Sequence, residues 1–218
     1  MTEGSLDLAG RLMALGAATI GESGGLPMHP RIRPAWPGAT VAGPAFVVDC
    51  GPADNLAIHA AVAEAPAGSV LVVKADDPPE RGYWGEVLTT GAEARAIAGL
   101  VIDGGVRDVS ALARHGFPVF SAVIALRGAA KVGGGSTGGR ATVGDVLVET
   151  GDWVVGDADG VTVIPGVRLD DVVAAGAARA SKEERFFAQL RDGATTVDLL
   201  GLDTGPVERV RPSEPSGS

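Results

Sequence analysis

Aromatic residues are scarce: Phe, Trp and Tyr make up 4% of the 218 residues, although 45% are hydrophobic. The core must therefore be built from Ala, Val, Leu and Ile. The 33 glycines point to backbone packed closely on backbone. Cysteine is almost absent. The single Cys50 excludes an intrachain disulfide, fits a reducing cytoplasmic setting, and reads as a small core residue after Phe46-Val47-Val48-Asp49. Positive charge is in deficit, with 18 Lys and Arg against 27 Asp and Glu and a formal charge of −9. That argues against nucleic acid as a simple partner, because phosphate binding needs a basic surface. It leaves a basic protein partner open. No run of about 18 apolar residues is present to cross a membrane. No basic segment followed by a long apolar run opens the sequence, so no signal peptide is expected.

What is present suits one domain over residues 1–205. Residues 206–218, rich in Pro, Ser and Glu, are expected to form a disordered tail. Leu6, Leu8, Leu12, Met13 and Leu15 have helical spacing over 5–18. The Pro- and Gly-rich stretch 24–44 reads as a loop packed on the domain. A strand is expected at 45–49, then a helix to Ala65 capped by Asp54. Val70-Leu71-Val72-Val73 reads as a strand covered on both faces. Residues 76–80 read as a loop, 85–98 as a helix, 100–103 and 117–120 as strands, and the glycine run 133–139 as a mobile loop. Short strands at 146–148, 153–155 and 161–164 are separated by turns at 150–152 and 157–160. A charged, Ala-rich helix spans about 170–191. Early β-α-β alternation followed by closely spaced strands predicts an α/β fold with a mixed sheet and helices outside, not a purely parallel doubly wound sheet.

The most informative spacing is Gly85-Glu86-Val87-Leu88, with Arg107-Asp108 following after 20 intervening residues. A helix running out, a strand running back and a tight exit at Gly104-Gly105 return the chain to its starting edge. One small volume then holds a helix N-terminus, two carboxylates and an arginine. Free amides at the helix start bind carboxylate or phosphate, and Gly85 lets a ligand approach closely. Arg107 can grip a carboxylate or enolate in a two-bond fork. Asp108 offers a hard oxygen to Mg²⁺ or Mn²⁺. Taken alone, these residues favour a capped helix and a surface ion pair over catalysis.

Three strings add a family resemblance: Gly85-Glu86-Val87-Leu88, the run Val101-Ile102-Asp103-Gly104-Gly105-Val106-Arg107-Asp108-Val109, and Asp54-Asn55-Leu56-Ala57-Ile58-His59. Together they resemble the RraA-like family, which includes the class II 4-hydroxy-4-methyl-2-oxoglutarate/4-carboxy-4-hydroxy-2-oxoadipate aldolases. Arg31-Ile32-Arg33-Pro34-Ala35-Trp36-Pro37-Gly38 and Gly156-Asp157-Ala158-Asp159-Gly160-Val161 extend the likeness over about residues 5–205. The resemblance implies a compact mixed-sheet α/β sandwich like a phosphohistidine swivelling domain, assembled as a homotrimer or homohexamer with sites between subunits. It places the metal-ligating aspartate on Asp108 and the pyruvate-binding arginine on Arg107. The acid that holds a metal-bound water falls on Glu86, and the carboxylate-binding amides on Gly85, Val87 and Leu88 as well as Glu86. Ala111 stands where some members carry an acid. Glu183 or Glu184 is the candidate for the glutamate that aldolases draw from a neighbouring subunit.

Other features carry less. His59 lies one turn from Asn55 and reads as a structural hydrogen-bond donor or an outer-layer group. His29 and His115 lack zinc spacing. Lys74, at the end of an apolar strand, is the alternative Schiff-base lysine of a metal-free aldolase. The 133–139 loop lacks the Lys-Ser/Thr of a phosphate-binding loop. No glycine-rich strand-to-helix fingerprint for a nucleotide-like methyl donor is found. The reading is a divalent-metal-dependent lyase that releases pyruvate from 2-oxo acids, with oxaloacetate decarboxylation as a second activity. The alternative is a non-catalytic regulator like the ribonuclease E inhibitors of the family.

Overall fold

A computed structural model describes residues 3–75 and 80–208. Most of the loop expected at 76–80 and all of the tail beyond Glu208 lie outside the described residues. The chain divides into two compact units, Met1–Ala177 and Ala178–Ser218, where the sequence predicts one domain over 1–205.

In the first unit, α1 (Glu3–Glu22) is broken at Gly16, whose φ of 79° is not helical. Asp157 accepts a hydrogen bond from the freed Ala17 N–H at 2.7 Å, which restarts the helix. The Pro-rich stretch is not wholly loop. It contains β1 (Leu26–Pro27) and β2 (Arg33–Pro34), and β3 (Val41–Cys50) starts before the expected boundary and runs through Pro44. Pro44 sits where β3 changes partner. Residues 41–44 pair antiparallel with β12 (Trp153–Asp157), while 45–49 pair parallel with β4 (Val70–Lys74). A residue without an N–H is tolerated at such a switch. Arg31 fixes the stretch to the sheet through two bonds to Asp103, at 2.9 and 2.7 Å, and a third to Asp145.

After β3 come α2 (Leu56–Glu64), β4, β5 (Arg81–Trp84), α3 (Glu86–Glu93), β6 (Gly99–Val106), α4 (Val109–His115) and β7 (Val119–Ile124). β5 and α4 are additions to the sequence reading, and α3 is shorter than expected. Gly104 and Gly105 lie inside β6 rather than at its exit. A Cβ on Gly104 would come 2.6 Å from that of Ala75, so this glycine serves close packing. The chain leaves the strand at Arg107-Asp108.

Beyond β8 (Arg127–Gly128), the glycine run contains β9 (Gly135–Thr137), which pairs with Val48–Cys50. The expectation of a mobile loop is thus corrected by a backbone ladder. A hairpin follows, β10 (Arg140–Val143) with β11 (Val146–Glu149), then β12 and β13 (Gly160–Ile164) and the start of α5 (Leu169–Arg191). β3, β4, β6, β5 and β8 are neighbours in parallel register, and β12, β13 and β1 extend the sheet antiparallel. The mixed α/β fold expected from the sequence is therefore present.

The two faces of the central strands bury alternate residues, as a period of two requires. Leu71, Val73, Leu100 and Ile102 pack with Ile58, Leu88 and Leu112 from the helices. Val70, Val72 and Val101 pack with Phe120, Val143, Val148 and Val163 on the other face. Val172 and Val173 of α5 join Leu12 and Ile20 of α1 against Trp153 and Val155. In the second unit, Arg179 pairs with Glu183 at 2.9 Å, Lys182 lies over the Phe186 ring, and Thr195 caps α6 (Thr196–Leu200).

Ile102 is wholly buried on the central strand β6. Ile102→Ala is expected to lower unfolding free energy by about 2–5 kcal/mol in urea titration, through lost burial and a residual cavity.

Candidate functional site

β5 and β6 run parallel and end side by side, at Trp84 and Val106. Helix α3 starts two residues after the first and α4 three residues after the second. Ligands of α/β sheets commonly sit beyond such carboxyl ends. A pocket of about 190 Å³ opens there, lined by the sequence-predicted Gly85, Val87, Leu88, Arg107 and Asp108. This is smaller than the roughly 300 Å³ at which drug-sized sites begin, so it suits a small ligand.

Asp108 is the pivot of this wall. Its backbone is left-handed, with φ 59° and ψ 31°, which Asp tolerates better than most residues. Its Oδ2 accepts the Glu86 N–H at 3.1 Å and lies 3.8 Å from Arg107 Nε. A Cβ on Gly85 would come 2.4 Å from that same oxygen. Gly85 has an extended φ of −168°, so space rather than backbone freedom demands glycine here. Gly82 plays the same part for Arg107. A Cβ there would meet Ala125 O at 2.5 Å and Arg107 Cδ at 3.1 Å. The Arg107 N–H donates to Trp84 O at 2.9 Å, which ties the two strand ends together.

Glu86 is placed differently from its neighbours. Its carboxylate lies 3.4 Å from His115 Nε2 and 3.8 Å from Arg114 Nη2, both on α4, and it is not among the pocket-lining residues. His115 also meets Glu93 at 2.9 Å. Ala111 is buried and supplies no acid. Lys74 pairs with Asp49 at 3.2 Å and does not line the pocket. The Schiff-base alternative therefore has no place in this cavity.

Gly82, Tyr83 and Trp84 of β5, Asn55 and His59 at α2, and Gly128, Ala129 and Lys131 complete the lining. Sequence reasoning gave His59, beside Asn55, a structural or outer-layer role and did not single out the others. Asn55 and His59 are four residues apart on one helical face, a spacing visible in the sequence. Nothing in the sequence marks Lys131, because its place depends on a long-range latch. The buried carboxylate of Asp54 accepts N–H bonds from Leu56, Val132 and Gly133 at 2.7, 2.6 and 2.8 Å. Asn55 N–H donates to Ala130 O, and Ala130 N–H to Ala53 O, both at 2.9 Å. These bonds carry Lys131 to the pocket. Asp54 thus does more than start α2.

Burial pushes the Asp54 carboxyl up, but its three backbone donors outweigh this and hold it below the ordinary range. Burial pushes the His59 imidazole down, Lys131 adds to that, and Asp54 opposes it only in part.

Among the described residues, no three His, Cys, Asp or Glu side chains gather as a metal cage. A Mg²⁺-type site needs no such cage, since the ion keeps several waters and takes one or two carboxylates. Asp108 meets that requirement. Its Oδ2 is engaged by the Glu86 amide, and its other oxygen accepts no hydrogen bond from the described residues. The donor set therefore fits an oxygen-loving divalent cation held by one protein carboxylate.

Asp54→Asn keeps the volume but cannot serve three backbone donors with two carboxylate oxygens. It is expected to cost about 1–3 kcal/mol at neutral pH by denaturant titration. Because the folded carboxyl is depressed, its contribution is complete above the unfolded value of about 4 and is lost as pH falls through the folded one. The gap between wild type and variant should therefore be constant from pH 6 to 8 and shrink below about pH 4.

Comparison with known proteins identifies the family. The family model RraA-like (Aldolase/RraA) matches residues 17–163. A protein of Halalkalibacterium halodurans named "Putative 4-hydroxy-4-methyl-2-oxoglutarate aldolase" is 31% identical over 84% of each chain. The solved structure of an uncharacterized protein from Pseudomonas syringae superposes with a TM-score of 0.76 at 23% identity, covering 89% of this chain and 97% of that one. The RNA-processing inhibitor RraA of Thermus thermophilus superposes with a TM-score of 0.58 at 26% identity, covering 65% of this chain and 84% of that one. Fold, spacing and sequence agree: the chain belongs to the RraA-like family.

Proposed function

We propose that the chain is a divalent-metal-dependent lyase that cleaves 4-hydroxy-4-methyl-2-oxoglutarate-type 2-oxo acids to pyruvate, with oxaloacetate decarboxylation as a second activity. The observation that carries this reading is the convergence of Arg107, Asp108 and the start of α3 on one small pocket. Aldolase names among the relatives support the reaction class.

The free amides of Val87 and Leu88 hold the carboxylate beside the 2-oxo group. Arg107, always protonated, forks onto the oxygen that becomes an enolate when the C3–C4 bond breaks. Asp108 would hold Mg²⁺ or Mn²⁺, which acts as a Lewis acid toward the 2-oxo group. Glu86, held by Arg114 and His115 of α4, is assigned to orienting water. Lys131 is suited to the distal carboxylate. Cleavage and decarboxylation share the enolate, so one constellation serves both. The assembly proposed with this reading is a cytoplasmic homotrimer or homohexamer, in which Glu183 or Glu184 of a neighbouring copy is the candidate to complete the site. No helix among the described residues is long and apolar enough to cross a membrane.

The Thermus inhibitor favours a second reading, a protein-binding regulator of a ribonuclease. Capture of that ribonuclease, with no turnover of any 2-oxo acid, would support it.

Pyruvate release from both acids should stop with EDTA and return with Mg²⁺ or Mn²⁺. Arg107→Ala should lower kcat about 100-fold or more, the scale of losing one oxyanion donor. Turnover that survives both treatments sinks the mechanism. Gly85→Ala forces its Cβ onto the Asp108 carboxylate. It should raise the Mg²⁺ concentration needed for half-maximal rate at least tenfold, read by metal titration of the EDTA-stripped protein.

A further inference from the structure

Two polar atoms on residues that line the pocket have no hydrogen-bond partner among the described residues. They are Asn55 Oδ1 and His59 Nε2, and both atoms are buried. Asn55 is 5% exposed, and its Nδ2 donates to Tyr83 O at 2.8 Å, which fixes the amide and leaves Oδ1 as the orphan. Both residues line the pocket. Buried polar atoms are nearly always satisfied, so two orphans on residues that line one pocket call for a ligand group. His59 is held toward its neutral form by burial and by Lys131, with Asp54 opposing in part. A neutral imidazole whose Nε2 carries no proton is an acceptor, as is an amide oxygen. Two acceptors ask for a donor. The carboxylates and 2-oxo group of the substrate carry none, whereas the 4-hydroxyl does.

Cleavage also needs a base. The 4-hydroxyl must lose its proton so that its oxygen becomes the carbonyl of the departing product. Of the other polar side chains lining the pocket, Arg107 and Lys131 offer only donors, and the Asp108 carboxylate is assigned to the metal in the lyase reading.

We infer that His59 Nε2 is the general base for the 4-hydroxyl of the substrate, and that His59 and Asn55 together distinguish 4-hydroxy-2-oxo acids from 2-oxo acids lacking the hydroxyl. The step balances. The O–H proton passes to Nε2, and the O–H pair forms the new C=O. The C3–C4 pair moves into the enolate beside Arg107, and the proton on Nε2 then passes to C3 to give pyruvate. Decarboxylation of oxaloacetate has no hydroxyl to deprotonate and makes no such demand. This inference rests on the lyase reading above.

The experiment measures kcat for 4-hydroxy-4-methyl-2-oxoglutarate cleavage and for oxaloacetate decarboxylation, with Mg²⁺, in wild type, His59→Gln and His59→Asn. Circular dichroism and denaturant midpoints check that each variant folds. Loss of a general base should lower cleavage about 100-fold or more. The ratio of cleavage to decarboxylation should fall at least tenfold in both variants. In wild type, kcat/KM for cleavage should decline as pH falls through a value below the 6.5 of an ordinary imidazole, and decarboxylation should lack that limb. The wild-type profile needs no variant to fold. An unchanged ratio in folded variants, or the same acid limb for both substrates, overturns the role of His59 and leaves the lyase reading standing. A wild-type chain that turns over neither acid overturns both.

Discussion

The site depends on one contact: the Asp108 carboxylate resting on the first amide of α3, in space that Gly85 leaves by having no Cβ. That contact joins two parallel strand-to-helix turns. It sets the left-handed backbone at Asp108, aims Arg107 into the same pocket and leaves the next amides of α3 free. Each partner constrains the others. A side chain at residue 85 would displace the carboxylate, and one at residue 82 would displace Arg107. The two glycines are therefore part of the site although neither carries a functional group.

The wall around Asn55 and His59 is assembled by longer reach. Asp54 gathers amides from residues about eighty positions away and is buried while doing so. The carboxylate is a bridge between α2 and the segment ending at the glycine run. β9 continues that bridge by pairing with the end of β3. What composition suggests is a loose glycine loop is in fact held at both ends. Its glycines are needed because backbone passes against backbone, as at Gly135, where a Cβ would lie 2.4 Å from Asp49 O.

Much of this was legible in the sequence where the signal is local. The apolar run 70–73 and the strand at 100–103 stand on both faces of the core as their composition implies. The Gly85–Leu88 and Arg107–Asp108 strings do share one pocket. The misreadings have long-range causes. Gly104-Gly105 looks like a turn, but it is strand whose small residues answer to Ala75. Pro44 looks like a loop, but it is tolerated where β3 exchanges β12 for β4. The short β5 carries too little pattern to stand out, and Lys131 owes its position to Asp54. Glu86 was placed in the pocket by spacing, yet its side chain follows His115 and Arg114 on α4, a helix that the sequence reading omitted.

The two walls differ in chemical character, and that difference bears on selectivity. One wall is rich in donors: the first amides of α3, and Arg107 just beyond β6. In a chain with a formal charge of −9, it concentrates positive potential at one point, where it can draw an anionic acid out of an otherwise repulsive surface. With Nε2 of His59 unprotonated, as inferred above, the wall at α2 offers two acceptors, Asn55 Oδ1 and His59 Nε2, both buried. Donors alone would bind any small 2-oxo acid about equally well. A site that buries unpaired acceptors discriminates more sharply, because a ligand without the matching hydroxyl leaves them unsatisfied. On the proposed lyase reading, the Arg107 wall serves the enolate chemistry that both reactions share, and the α2 wall is the part that chooses among the acids that reach it.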